Sequence, residues 1–213
     1  MNEDLKNNQN YAIAIGRQFG CGGREVGQRV AQLLGISYFD KELLIEASKA
    51  SGIKAEKFEA VDERTPKFFP SLWPLNLAMA GSTFMGDVTM SDDNIYKAQC
   101  QVMKELVDRN SCVIVGRTAD YVLRDHCPVI SVFLHAPIED RVARIIARGD
   151  CDTREAAEKR ADKANKLRAE YYNFYTDKLW GHADSYDLCI DSSLLGIEGT
   201  AQFIADFVHR RLS

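Results

Sequence analysis

The stretch from Tyr11 to Gly35 constrains the fold more tightly than any other part of the chain. An apolar run, Tyr11-Ala12-Ile13-Ala14-Ile15, passes directly into Gly16-Arg17-Gln18-Phe19-Gly20-Cys21-Gly22-Gly23-Arg24-Glu25. A short continuous apolar run closed by glycine suits a strand buried on both faces. From Arg24 the period changes. Val26, Val30, Leu33 and Leu34 fall at i, i+4, i+7 and i+8, the stripe of a helix lying on a core. Gly35 stands where a helix C-cap belongs, and Ile36 to Phe39 reads as a second strand. Strand, helix and strand in this order favour a parallel sheet covered on both faces.

The rest of the chain continues the alternation. Residues 41–58 read as helical. Residues 62–92 carry Pro66, Pro70 and Pro74 among large apolar side chains and read as an irregular insertion. A helix is expected over about Asn94 to Arg109, followed by buried strands at Cys112–Val115 and Val129–His135. Another helix runs from about Ile138 to near Gly149. Asp152 with Glu155 resembles a capping box opening a further helix toward Tyr175. Asp187–Asp191 reads as the last strand and Ile197–Leu212 as the last helix. The expected architecture is α/β, with about five parallel strands and helices on both faces. One domain covers residues 11–213, with a cap over about 60–95 and a lid over about 141–175. The polar, Asn-rich residues 1–10 are expected to be disordered.

Composition narrows the class of partner. A net charge of −4 argues against a general nucleic-acid binder. Cys21, Cys100, Cys112, Cys127, Cys151 and Cys189 form no C-x-x-C pair and no zinc spacing. They read as reduced thiols of a cytoplasmic protein. No apolar run approaches a membrane span or a signal peptide. The oligomeric state stays open, with a homodimer among the options.

Glycines between a strand and a helix let backbone N–H groups converge on a phosphate, and the helix N-terminus adds partial positive charge. The best-known loop of this kind reads G-x-x-x-x-G-K-[ST]. Here Gly23 occupies the lysine position. Arg17 and Arg24 flank the loop as cations suited to phosphate.

Together with that loop, the Phe39-Asp40 pair, Val115-Gly116-Arg117 and the run FLHAPIEDRVARI from Phe133 resemble the cytidylate kinase-like family. The resemblance covers most of residues 11–213 and is weakest across 60–95. It implies a P-loop kinase fold, ATP or another nucleoside triphosphate as donor, and Mg²⁺. Relative to family members with the full motif, the chain has Gly23 for lysine, Glu25 for the magnesium-binding hydroxyl and Val115 for an acid. It also has no Asp-x-x-Arg between residues 160 and 180.

Phosphoryl transfer asks for positioning and charge neutralisation. Backbone amides of Gly20, Cys21, Gly22, Gly23 and Arg24 would cradle the donor phosphates. Arg24, alone or with Arg17, would take over the lysine's charge. Arg117 follows a strand, where parallel-sheet sites open, and reads either as an acceptor-phosphate clamp or as a structural ion pair. Between Arg141 and Arg168 nine Lys/Arg face five Asp/Glu, a local +4. That segment is either a solvated helix face or a lid closing over phosphates. The family position favours the lid, with Arg141 and Arg144 arriving on it and Arg168 near the substrate. Asp40 reads as an acceptor or metal contact, or as an N-cap. Glu25 reads as a Mg²⁺ ligand or a first-turn glutamate. Tyr171, Tyr172, Phe174, Tyr175 and Trp180 form an aromatic cluster, either core or a base platform. The function expected is ATP-dependent phosphoryl transfer to a small acceptor, a nucleotide or nucleoside. The competing reading is a nucleotide sensor without turnover.

Overall fold

A computed structural model describes residues 9–40 and 85–213. In chain order it contains β1 (Ala12–Arg17), α1 (Gly23–Leu34), β2 (Ser37–Phe39), α2 (Met85–Arg109) and β3 (Cys112–Val115). Then follow α3 (Ala119–Val122), β4 (Val129–His135), α4 (Ile138–Ala147), α5 (Arg154–Tyr175), β5 (Leu188–Asp191) and α6 (Ser192–Leu212). The helix expected over 41–58, most of the cap and the first eight residues lie outside the described residues.

The five strands form one sheet in the order β2-β3-β1-β4-β5, and every pairing is parallel. β1 lies at the centre because its side chains satisfy both faces at once. Ile13 and Ile15 join Val113, Val115, Ile130 and Val132 in the cluster under α1 and α6. Ala12 and Ala14, pointing the other way, join Cys112 and Ile114 under α2 and α3. Small residues on the second face let Val102, Met103 and Val107 of α2 pack closely. The strand order reverses direction at β1. Its carboxyl end, flanked by those of β3 and β4, is therefore the crevice where such sheets bind ligands. A third, smaller cluster joins α4 to α5 through Val142, Ile145, Ala157 and Ala161, with Phe19 of the loop packed against it.

Several boundaries differ from the sequence reading for local reasons. α2 begins at Met85, within the stretch read as irregular. The cap of α5 is Thr153, not Asp152. Thr153 is extended at φ −128° and its hydroxyl accepts from the Ala156 N–H at 3.2 Å. Glu155 then falls at the second helical position, one short of a capping box. α5 runs unbroken to Tyr175. Asp187 precedes β5 and binds it back to β4, its carboxylate accepting from the Ser131 N–H at 2.7 Å and hydroxyl at 2.8 Å. Gly196, at φ +65° and ψ −179°, interrupts α6, so its straight part starts at Ile197 as expected. All six cysteines are free thiols. Burial pushes the Cys112 thiol up to about 12 and the Cys127 thiol up to about 11, so both stay protonated.

Ile204→Ala, at a fully buried position of α6, is expected to lower urea-unfolding stability by about 2–4 kcal/mol. Leu194→Ala, at a position 82% exposed, shifts it by no more than about 0.5 kcal/mol.

Candidate functional site

The loop between β1 and α1 is shaped by the side chains it cannot carry. Gly20 and Gly22 have φ of +84° and +82°, in the left-handed region. Both are also closed sterically. A Cβ on Gly20 would lie 2.8 Å from the Arg141 carbonyl oxygen and 3.0 Å from the Arg141 Cβ. A Cβ on Gly22 would collide with the Ile197 side chain. Cys21, fully buried between them, sends its thiol toward the Leu134 carbonyl at 3.5 Å. Its own carbonyl accepts from the Ser192 hydroxyl at 2.7 Å. The loop is thereby fixed to β4, α4 and α6. Gly22 caps α1 without a side chain, so first-turn N–H groups and the helix dipole are offered to whatever the loop holds.

Gly23 stands at the lysine position, and the structure identifies what fills the space beside it. A Cβ there would lie 2.8 Å from both the Cβ and the Cγ of Arg17. The Arg17 stem therefore occupies the path along which a side chain at 23 would leave the helix. Its guanidinium lies over Gly116, where any side chain would collide with it. Arg24, half exposed, reaches the other way: its Nε lies 3.8 Å from Asp40 Oδ2. Asp40 is buried and accepts from the Tyr38 hydroxyl at 3.4 Å. Burial and that carboxylate together push the Tyr38 phenol up. Glu25 faces Arg148 at 3.9 Å. Among the described residues no three His, Cys, Asp or Glu are grouped as a protein-held metal would require.

Arg117 lies in the turn after β3, Arg141 and Arg144 on α4, and Arg168 on α5. Arg141 is 8% exposed and its Nε donates to the Ala136 carbonyl at 3.0 Å. Arg168 Nη1 donates to the Arg17 carbonyl at 3.2 Å. Among the described residues, Arg117 Nη2, Arg141 Nη1 and Arg144 Nη1 are buried and find no hydrogen-bond partner. A common centre of positive charge is visible at Cys21. Burial pushes its thiol up, while Arg17, the Gly23 N–H, Arg168 and Arg144 pull it down.

The sequence reading missed Phe19 as an organiser. Its N–H donates to Asn165 Oδ1 of α5 at 2.7 Å. Three guanidinium carbons, of Arg148, Arg160 and Arg168, lie 5.6, 5.6 and 5.5 Å from its ring centroid. A lone aromatic in a glycine loop was the available signal, whereas Asn165 carried none. Arg117 and Arg168 also rim a cavity of about 50 Å³ at the carboxyl ends of β1 and β3. Its walls include Tyr171, Tyr172 and Trp180 from the expected aromatic cluster, together with Tyr186. Phe174 points to solvent, and Tyr175 stacks on Tyr96 instead. Asp120, also overlooked, lies on the cavity wall and is 7% exposed. It accepts from the Tyr172 hydroxyl at 2.7 Å and faces Lys178 Nζ at 3.5 Å. Burial and the neighbouring Asp120 push the Tyr172 phenol up, so it remains a donor.

The loop geometry makes a direct prediction. Gly22→Ala is expected to cost about 1–3 kcal/mol in chemical denaturation, from the left-handed backbone and the clash with Ile197. Pairing it with Ile197→Ala returns the clash part, so the double variant is less destabilised than the sum of the two singles.

The cytidylate kinase-like family matches residues 12–194. A cytidylate kinase of Methanococcus aeolicus is 30% identical over 115 residues, 53% of this chain and 62% of that protein, so the match spans less than two thirds of the curated relative. An uncharacterized protein from Eubacterium ventriosum superposes with a TM-score of 0.69 at 25% identity, covering 94% of this chain and 99% of the other. Shikimate kinase from Acinetobacter baumannii, solved with shikimate, gives 0.51 at 16% identity over 96% and 95% of the two chains. With a parallel 2-3-1-4-5 sheet, a glycine loop at its switch point and a family match across most of its length, the chain has the P-loop kinase fold and belongs to the cytidylate kinase-like family.

Proposed function

We propose that the protein transfers the terminal phosphoryl group of ATP, or another nucleoside triphosphate, to a small phosphate-bearing acceptor such as a nucleotide. One observation carries the reading. Three buried guanidinium N–H groups, on Arg117, Arg141 and Arg144, are left without partners among the described residues around a loop of open backbone donors. A buried donor left unsatisfied costs about 1–3 kcal/mol, and more for a charged group. Unpaired charged donors of this kind suit a polyanion that completes them.

In this reading the amides of Gly20 to Arg24 hold the donor phosphates. Arg141 and Arg144 neutralise charge on the transferring group, and Arg117 grips the acceptor phosphate with its planar fork. Arg17 is the better substitute for the missing lysine. Its stem fills the space beside Gly23, while Arg24 is drawn toward Asp40. Arg168 supports the loop through the Arg17 carbonyl. Mg²⁺ would enter with the triphosphate. It would offset the charge of the phosphates, and Glu25 is a candidate carboxylate to hold it.

Calorimetric titration with ATP and Mg²⁺ tests the binding half. Micromolar to millimolar affinity is expected. Arg17→Ala should weaken it by about tenfold or more and Arg24→Ala by about threefold or less. No heat and no melting shift with any nucleoside triphosphate at millimolar concentration would sink the proposal. Transfer of labelled γ-phosphate to a panel of nucleotides tests the catalytic half. Binding without transfer to any acceptor would favour the sensor.

The acceptor arginine gives a second prediction. Arg117→Lys keeps the charge and loses the fork, so turnover should fall about 10- to 100-fold while the melting midpoint stays within a few degrees. Unfolding with no selective loss of turnover would assign Arg117 a structural role instead.

A further inference from the structure

Gly116, Arg117 and Thr118 are three consecutive left-handed residues, with φ of +85°, +61° and +54°, and only the first is glycine. Two adjacent L-residues in this region persist only where their surroundings hold them. Thr118 is 3% exposed, and its hydroxyl donates to the Arg117 carbonyl at 2.6 Å. That hydroxyl has one proton. Its 3.1 Å contact with the Tyr96 hydroxyl is therefore one in which Tyr96 donates and Thr118 accepts. Burial pushes the Tyr96 phenol up, which keeps the donated proton in place. The Thr118 carbonyl accepts from the Tyr121 and Val122 N–H groups at 3.0 and 2.9 Å, so the turn leads directly into α3.

Tyr96 also reaches in a second direction. Its ring stacks on Tyr175 with centroids 3.8 Å apart at 13°, and meets Tyr171 edge-on at 6.4 Å. Both belong to α5, and the Arg117 guanidinium carbon lies 5.8 Å from the Tyr171 ring centroid. One side chain of α2 thus touches the turn that carries Arg117 and the helix that walls the same cavity.

We propose that Tyr96 is a positioning residue for Arg117: its hydroxyl, through Thr118, holds the left-handed turn that presents the guanidinium to an acceptor phosphate, and its ring ties that turn to α5. The inference rests on the assignment of Arg117 as a phosphate clamp. Without the Tyr96 hydrogen bond the turn can relax toward ordinary backbone angles, and the Arg117 fork loses its fixed aim.

Inorganic phosphate, titrated calorimetrically into the full chain, is the probe. Tyr96→Phe keeps the stack and removes the hydroxyl. Thr118→Val keeps the branched shape and removes the relay, while Thr118→Ser retains it. Tyr96→Phe and Thr118→Val are each expected to weaken phosphate binding by about 5- to 10-fold, the equilibrium consequence of losing one buried hydrogen bond. Thr118→Ser should lose less than about twofold. In an Arg117→Ala background Tyr96→Phe should add nothing, because the effect passes through Arg117. A general structural role would instead add its full factor in that background, and this result overturns the inference. So does unchanged affinity in Tyr96→Phe when Arg117→Ala has weakened binding. If Arg117→Ala leaves phosphate affinity intact, the clamp assignment falls first and takes the inference with it. Should Tyr96→Phe not fold, the Thr118→Val and Thr118→Ser pair decides: equal affinity in the two overturns the relay.

Discussion

Like charge is the constraint around which the site is organised. Arg17, Arg117, Arg141, Arg144, Arg148, Arg160 and Arg168 all gather at the carboxyl end of the sheet, and cations at close range repel. The protein holds them with dipoles and rings as well as with acids. Carbonyls of Ala136, Arg17 and Asp150 accept from Arg141, Arg168 and Arg160 at 3.0, 3.2 and 2.7 Å. The Phe19 ring offers its electron-rich face to three guanidinium groups. Asp150 and Glu25 absorb charge at the outer edge, beside Arg148. What is left over is directed inward, as buried N–H groups lacking partners among the described residues. A polyanion would lower the energy of such an assembly more than it would that of an ordinary surface patch.

The sheet supplies the rigidity this requires. β1 is paired on both sides, and its register with β3 and β4 brings Ile15 level with Val115 and Val132. The loop after Arg17 and the turn after Val115 therefore leave the sheet side by side. This adjacency is why the Arg17 guanidinium can lie over Gly116. α4 then approaches the loop at backbone contact because Gly20 has no Cβ, and α6 does the same at Gly22 through Ile197. Two absent side chains thus bring two helices against one loop, and with them Arg141 and Arg144.

Much of this could be read in the sequence, for definite reasons. The change of period at Arg24 marked the end of the strand and loop, and the apolar runs at 112–115 and 129–135 marked central strands. Arg117 was selectable because it follows a strand, and Arg141 and Arg144 because they share one helix face in the run that resembles the family. Other readings turned on a signal shared by two positions. Asp152 and Thr153 are both good caps, and only backbone angles chose Thr153. Arg24 was named for its closeness in sequence to Gly23. Arg17, six residues earlier, is the one whose stem lies there, because a β-strand end and a helix start face each other across the loop.

The sequence by itself determined the parallel α/β architecture, the glycine loop and the positive character of the 141–168 segment. Those follow from local period, from glycine's freedom at positive φ and from charge count. Tertiary structure alone decided which arginine fills the empty lysine space, that Phe19 pins the loop to α4 and α5, and that Tyr96 of α2 supports the left-handed turn at Arg117. Each is a contact between residues on separate elements, such as Phe19 with Asn165 or Tyr96 with Thr118 and Tyr175. No spacing in the chain encodes such a contact, because it depends on how far apart the sheet and the helices come to rest.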